Sequence, residues 1–509
     1  MCGRACRGER RRRTRDAAVI LAHDLGTTGN KAALYDDAGA LVAARVARYG
    51  TDFGPNGAVE QDPADWWHSI GEGTQAVLAA AGVSADEVEV VSFSGQMMGA
   101  TLLGSDGEPV RPALIWADTR SGEQCDRLIE RIGMQRAYRL LGHRLNPTYS
   151  LTKVMWVREH EPEVWSRVRH VAQAKDYTAA KLTGRLATDP SDASSTNAFD
   201  QERGTWSGEV LAAADIDESL WPEIVPSTTV LGGVTSEAAR MTGLREETPV
   251  VIGGGDGPLA ALGAGVIGPD SGAYVYLGSS SWVSLAADRP LHDPKMRTMT
   301  FNHVIPGRFV PTATMQAGGA SVDWVAELLQ TQPTALSQLA AEYEAAFDGL
   351  LFLPHLLGER SPYWNPRARG ALIGLQRRHG RGHVARAVLE GVAFNLLTAI
   401  EAFREMGVQV GPTDAIGGGA VSDTWLQLLA DVWGVEVRRR SLIDEANALG
   451  AAVVGGVAVG LMSSLNVAST LSAVERVFEP DTERHRRYAE RHAVFLDAYA
   501  RLEELFDAL

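Results

Sequence analysis

The chain has 509 residues, 45% of them hydrophobic and 22% charged, a globular composition that excludes disorder, collagen and coiled coil and is too long for one ordinary core. The net charge of −15 argues against a nucleic-acid coat, and the 53 glycines follow no triplet period, so they point to tight turns and close backbone approaches.

Residues 1–15 hold seven arginines against one glutamate, with no apolar signal core behind them. Residues 1–16 therefore read as a basic, disordered tail. Cys2 and Cys6 fall in that tail, so the folded part keeps one thiol, Cys125, and no disulfide framework, as expected of a cytoplasmic protein. The ordered chain opens with AVILAHD (18–24), a turn at LGTTGNK (25–31), AALYD (32–36) and a third apolar run to Tyr49, which together read as strand, glycine turn, strand and hairpin. Asp62-Pro63 starts a helix bearing Trp66, Trp67 and Ile70 on one face. VEVVSFSGQMMG (88–99) is the next strand, and the alternation of strands with helices indicates an α/β architecture.

A second strand, turn and strand follows at AYVYLGSSSWVSLAA (273–287). Gly26 and Gly278 lie 252 residues apart, each followed by hydroxyl residues, which suggests two similar domains facing each other with a hinge near 250–265. The apolar run Ala448–Met462 is too short for a bilayer crossing of roughly 20 residues, so no membrane partner is expected.

Four segments carry chemistry. Asp24 at a strand end, followed by Gly26, Thr27 and Thr28, suits a magnesium nucleotide: backbone N–H groups and hydroxyls wrap phosphate, Asp24 faces the cation directly or through water, and Lys31 approaches the same phosphates. The turn at Gly278 and Ser279 supplies a matching phosphate site from the other domain. In GGGDG (253–257), three glycines let another molecule approach and Asp256 is placed to act as a general base toward a hydroxyl; the plainer reading is a cap for a helix near Pro258. Gly417 to Gly419 form a bare platform for adenine, followed by a helix capped by Ser422 whose face of Trp425, Leu428, Leu429 and Val432 reads as core. Gly263, Gly265 and Gly268 satisfy G-x-G-x-x-G without the strand and helix it needs, and no Gly-Lys pair exists for a Walker A loop.

On these residues the sequence resembles the FGGY carbohydrate kinases, whose fold is that of hexokinase, actin and the Hsp70 ATPase: two facing ribonuclease H-like α/β domains around an active-site cleft. The most specific element is GALIGLQRRHGRGHVARAVLE (370–390), with Gly370, Leu372, Gly374, Leu375, His383, Val384, Ala387 and Glu390 at the spacings of the family's C-terminal signature. Within the family the likeness is greatest to xylulokinases, through EQDPADWW (60–67), SGQMMGATLL (94–103), IWADTR (115–120), KDYTAAKLTG (175–184), SDASST (191–196) and LPHLLGERSPYWNP (353–366). The resemblance implies a sugar-binding domain over 17–256, a nucleotide-binding domain over 257–480 and a C-terminal helix over 481–509. It implies Asp256 as base, Asp24 near Mg²⁺, Gly26 to Thr28 with Gly278 and Ser279 at the phosphates, and Gly318, Gly319, Gly418, Gly419 and Asp423 along ATP, with Asn447 near the base. Sugar hydroxyls would meet Gln96, Met97, Met98, Trp116, Asp118 and Asp256.

The implied activity is ATP-dependent phosphorylation of a ketopentose such as D-xylulose to xylulose 5-phosphate. The expected partners are sugar and ATP, with a homodimer allowed. Two polar groups of the xylulokinase pattern are missing, because Met98 replaces a His and Gly257 an Asn, and losing polar partners changes which acceptor is taken. The WADxR and WNPxxRG segments also look like gluconate kinases of the family, so gluconate, ribulose or another polyol is the alternative acceptor, and a non-catalytic sugar and nucleotide sensor the alternative class. His23 reads as a packing variant.

Overall fold

The β-branched run Val19–Leu25 (β1) turns through 26–28 onto Gly29–Asp36 (β2), which pairs antiparallel with Leu41–Arg48 (β3) in a computed structural model that describes residues 18–442, 444–506 and 508–509. The arginine-rich segment, Cys2 and Cys6 lie outside the described residues. Helix α1 (Pro63–Ala81) starts where its sequence requires: the Asp62 carboxylate accepts the Ala64 N–H at 2.9 Å, Pro63 occupies the first turn, and Gly82 ends the helix in the left-handed conformation. Its Trp66 and Ile70 are buried against the sheet. Strand β4 (Val88–Gly95) runs parallel to β1. Strand β5 (Val230–Gly233) forms the edge beside β6 (Pro249–Gly255), so the sheet order is β5-β6-β4-β1-β2-β3.

The second half repeats the plan with β7 (Ala273–Leu277), β8 (Ser281–Leu285), β9 (Met299–Asn302), β10 (Phe309–Met315), β11 (Thr413–Ile416), β12 (Val437–Arg440) and β13 (Val474–Phe478). Its order is β9-β10-β8-β7-β11-β12-β13. Each sheet therefore contains an antiparallel meander of three strands with two parallel strands on the far side of the first, β3-β2-β1-β4-β6 in one and β10-β8-β7-β11-β12 in the other. This is the ribonuclease H-like α/β unit, present twice.

Helices α2 (Ser150–His160) and α3 (Ala174–Thr183) belong to the long excursion between β4 and β5, part of which has a core of its own around Leu128, Leu151 and Val157. Helix α4 (Asp256–Gly263) leaves the end of β6 and enters the space between the sheets. In the second half, α5 (Gly319–Leu328), α6 (Arg381–Glu405), α7 (Asp423–Trp433) and α9 (Thr482–Phe506) surround one large core. Among the described residues α6 is the one helix long and apolar enough to cross a membrane, and 83% of its apolar window is buried in that core.

Helix α8 (Ala446–Ala458) departs from sequence order. It comes from the second half, yet its Leu449, Val453 and Val454 pack with Ile20, Ala22, Val90 and Val251 of the first sheet. A β-carbon on Gly263 would overlap the Ala446 carbonyl, and one on Gly450 the Leu259 carbonyl, so α4 and α8 cross at backbone distance. Gly263 of the discarded dinucleotide pattern and the apolar run 448–462 thus serve one purpose: interlocking the two lobes.

Candidate active site

The first-lobe wall is built at the end of β1. Asp24, half-buried and paired in register with Lys31, accepts Ser94 Oγ–H on Oδ1 at 2.7 Å and Asn447 Nδ2–H on the same oxygen at 3.4 Å. Its Oδ2 makes no hydrogen bond among the described residues. Burial raises its pKa above the ordinary carboxylate value, against the opposing effects of Ser94, Lys31 and Asn447. Lys31 Nζ donates to the Asp444 carbonyl just before α8, tying the hairpin to the other half of the chain. The turn itself is braced by side chains: Tyr49 O–H donates to the Gly26 carbonyl, Gln61 Nε2 to the Thr27 carbonyl at 2.7 Å, and Trp116 Nε1 to Thr27 Oγ1 at 2.9 Å.

Asp256 stands at the junction of β6 and α4, and the helix begins at this residue, two positions before Pro258. Its Oδ1 accepts the Gly257 N–H at 2.8 Å. Burial, followed by the charge of Asp24, pushes its pKa up to about 7, so near neutrality it is poised to take a proton. Behind it, Tyr274 O–H donates to the Gly257 carbonyl at 3.1 Å and itself accepts Trp282 Nε1–H at 2.9 Å.

The second-lobe wall consists of glycine. A cavity of about 590 Å³ is lined by Gly278, Ser279, Gly319, Gly418, Gly419 and Asp423, with Trp425, Pro333 and Val421 among its apolar sides. The Gly319 N–H bonds to the Gly278 carbonyl at 2.7 Å and the Ala320 N–H to the Ser279 carbonyl at 3.0 Å, so the start of α5, capped by Gly318, lies directly against the hairpin turn. Asp423 opens α7 beside Ser422, whose hydroxyl accepts the Trp425 N–H as the cap, but its carboxylate is paired with Arg439 and Arg476. A second cavity, about 530 Å³, lies between the lobes and is lined by Asp24, Lys31, Tyr276, Gly417, Glu445 and Asn447. The two cavities meet at the Gly417–Gly419 turn. Asn447 therefore sits at Asp24 and not in the lining of the glycine-walled cavity.

The predicted acceptor residues follow β4. Gln96 Nε2 donates to Gln61 Oε1 at 2.8 Å, while its buried Oε1 has no partner among the described residues. Met97 packs against Gly255 and Gly257, where a β-carbon on Gly255 would come within 2.8 Å of it, and so borders Asp256. Met98 adopts the left-handed backbone at φ +66°. Trp116 lies beneath the Arg360 guanidinium, 5.9 Å from the ring centre. Asp118 differs from the expectation. It is fully buried, and its carboxylate accepts the Val59 N–H at 2.8 Å and two Arg120 guanidinium hydrogens, so it fastens the loop that presents Trp116. His23 is buried, contacts Asn30 and Thr74, stacks on Phe93, and is held neutral by burial, with its pKa near 4.

Two facing ribonuclease H-like lobes with strand-end carboxylates on one side and a glycine-walled cavity on the other define a nucleotide-dependent phosphotransferase. The family models for the N-terminal and C-terminal domains of the FGGY family of carbohydrate kinases match residues 19–263 and 273–459, and the chain belongs to that family. It is a carbohydrate kinase, with ATP and a sugar as its substrates. It is 33% identical to the xylulose kinase of Escherichia coli over 483 residues, 94% of this chain and 98% of that protein. Its structure superposes on a ligand-bound xylulose kinase from Lactobacillus acidophilus with a TM-score of 0.90 at 26% identity, over 96% of this chain and 99% of that one. A gluconate kinase from the same organism gives 0.89 at 26% identity, over 96% and 98%.

Proposed function

We propose that the protein transfers the γ-phosphoryl group of ATP to a terminal hydroxyl of a ketopentose, D-xylulose foremost, with Asp256 as general base. The observation that carries this reading is Asp256 itself: a carboxylate with a pKa near 7 at the end of β6, bordered by Met97 on the acceptor side and within the field of Asp24 on the phosphate side. The kinases similar over nearly the whole chain and named for xylulose supply the acceptor.

In this reading adenine and ribose occupy the cavity of Gly418, Gly419 and Asp423, with Gly318 and Gly319 along the nucleotide and Gly278 and Ser279 at its phosphates. Gly26, Thr27, Thr28 and Lys31 close on the transferred group from the other lobe. Asp24, with a free Oδ2 and a pKa raised by burial, fits an Mg²⁺ that arrives with the nucleotide. A cation there would be held by one or two carboxylates and by phosphate. Bound there, Mg²⁺ supplies charge neutralisation for the transferring group. Gln96 Oε1, buried without a donor, suits a sugar hydroxyl. Asp256 takes the proton of the attacking hydroxyl while the two turns hold the phosphate charge. Gluconate is the second reading, favoured by the gluconate kinase similarity and opened by the departure from the xylulokinase pattern at Met98 and Gly257.

Sugar-dependent ADP release across D-xylulose, L-ribulose, L-xylulose, gluconate, glycerol and erythritol tests the proposal. The highest kcat/KM is expected with D-xylulose. Preference for gluconate would move the assignment to the second reading, and absence of turnover with every acceptor would leave a sensor.

A further inference from the structure

Between β4 and β5, the one-turn helix Pro190–Ala193 and the residues after it carry three serines, each of which accepts a backbone N–H from a different segment. Ser191 Oγ accepts from Gly255 at 3.0 Å, Ser195 Oγ from Met98 at 3.1 Å, and Ser194 Oγ from Asn302 at 3.0 Å. Gly255 immediately precedes Asp256, Met98 lies in the acceptor loop, and Asn302 ends β9 of the other sheet. All three serines are buried.

The turn has a rigid anchor. Asp189 Oδ2 accepts from Ser191 N at 3.0 Å, Ser191 Oγ at 2.6 Å and Ser227 Oγ at 2.7 Å. Lys175 Nζ sits 2.6, 3.1 and 3.3 Å from Asp176, Asp189 and Asp192, all fully buried. One lysine among three buried carboxyl groups is a poor way to gain stability, because desolvating the charges costs about as much as their attraction returns. Its clear geometric effect is to fix the turn in one orientation. The Met98 peptide is gripped from its other end as well: Lys153 Nζ, also buried, donates to the Met98 carbonyl at 2.8 Å. Those two bonds hold a methionine in a left-handed conformation that non-glycine residues rarely adopt. Such strain persists only where the surroundings over-determine it.

We propose that the Asp189–Thr196 turn is the positioning device that sets the separation of Asp256 from the acceptor loop, with Ser191 holding the base and Ser195 the loop. The inference rests on the reading of Asp256 as base and of Gln96–Met98 as the acceptor side. The two serines act on different halves of the reaction, so their removal has crossed effects. Ser191→Ala lowers kcat by about tenfold with the acceptor KM within about twofold, whereas Ser195→Ala raises the acceptor KM by about five- to tenfold with kcat nearly kept. Ser191→Thr, which retains the hydroxyl, recovers most of the lost kcat.

Hydrogen–deuterium exchange of the full chain supplies a readout independent of turnover. Ser191→Ala increases exchange at 253–257 and spares 96–99, and Ser195→Ala does the reverse. Uniform losses in both kinetic parameters and both segments, or no change in either, would overturn the proposal. Should Ser191→Ala not fold, Ser195→Ala decides alone: a raised KM with protection lost only at 96–99 supports the device, and any broader or null pattern overturns it. A fully active Asp256→Asn enzyme would fail the base reading separately, since the exchange pattern reports on positioning and not on chemistry.

Discussion

The two hairpin turns proposed to hold phosphate share a topology and are held by different means. The first, 26–28, is braced by side chains from three separate segments, Tyr49, Gln61 and Trp116, and Gln61 continues to Gln96 in the acceptor loop at 2.8 Å. The second, at 278–280, is held mainly by backbone: Gly278 N–H to the Ser280 carbonyl at 3.2 Å and Gly319 N–H to the Gly278 carbonyl at 2.7 Å, with one side-chain bond from within the hairpin itself, Ser281 Oγ–H to the Gly278 carbonyl at 3.4 Å. A β-carbon on Gly319 would lie 2.5 Å from the Gly278 carbonyl, and one on Gly318 would overlap Ser281 Oγ, so the absence of side chains is what lets that contact form. On the proposed placement of sugar and ATP the difference teaches where sensing of the acceptor would reside: a turn wired through side chains to the acceptor loop would report whether sugar is present, and a turn held mainly by its own hairpin would grip nucleotide regardless.

If the first lobe carries the chemistry, Asp256→Asn gives the largest effect in the molecule. Turnover falls roughly 10²- to 10⁴-fold, the share a general base supplies, while ADP affinity by calorimetry stays within about twofold. A mutant at near wild-type rate would break the division between lobes at its strongest point. The complementary cut is Gly418→Leu. A β-carbon there has open space around it, and the residue lines the cavity proposed for the nucleotide, so the larger side chain would intrude on the ligand without clashing with the fold. We expect ADP binding weaker by about 10- to 100-fold with Tm nearly unchanged, from an overpacking cost of roughly 1–3 kcal/mol. Unaltered ADP affinity would show that the nucleotide lies elsewhere.

The pH dependence sharpens the same contrast. Asp256 acts as a base only when ionised, so kcat/KM rises with pH through a midpoint near 7 in the wild type. Its folded pKa lies above the ordinary value of 3.8, so the fold favours the protonated form: that stability is present below about pH 4 and is lost as pH rises through 7. Asp256→Asn is therefore expected to melt higher than wild type at pH 8, with the gain shrinking toward pH 4. A difference in Tm that did not vary with pH would contradict the burial that raises this group.

The elements set by local chemistry were readable from the chain. The β1 hairpin, the Asp62 and Ser422 caps and the glycine clusters each rest on residues within a few positions of one another. Long-range competition hid the rest. The family resemblance makes Asp118 a sugar ligand, yet Arg120 and the Val59 N–H claim its carboxylate. Asn447 was expected near adenine, but α8 crosses to the first sheet and carries it to Asp24. The Lys175 cluster, gathered from Asp176, Asp189 and Asp192 at irregular spacing, leaves no periodic signature, and the three serines of 191–195 and the left-handed Met98 leave none because their partners lie dozens of residues away. For the serines the only signal was the family likeness of SDASST.

The smallest expected effect tests the wiring itself. Trp116→Phe keeps the ring beside Arg360 and removes one hydrogen bond, Nε1–H to Thr27 Oγ1. Such a bond contributes a net 0.5–1.5 kcal/mol, so kcat/KM for the sugar should fall about two- to tenfold. The informative part is its distribution. If the first turn links acceptor to phosphate, the loss appears in sugar-dependent turnover, ADP affinity measured without sugar stays unchanged, and sugar-independent ATP hydrolysis rises relative to transfer. Were ADP affinity to fall by the same factor, Thr27 would be gripping nucleotide as passively as is proposed for Gly278, and the two turns would differ in construction but not in role.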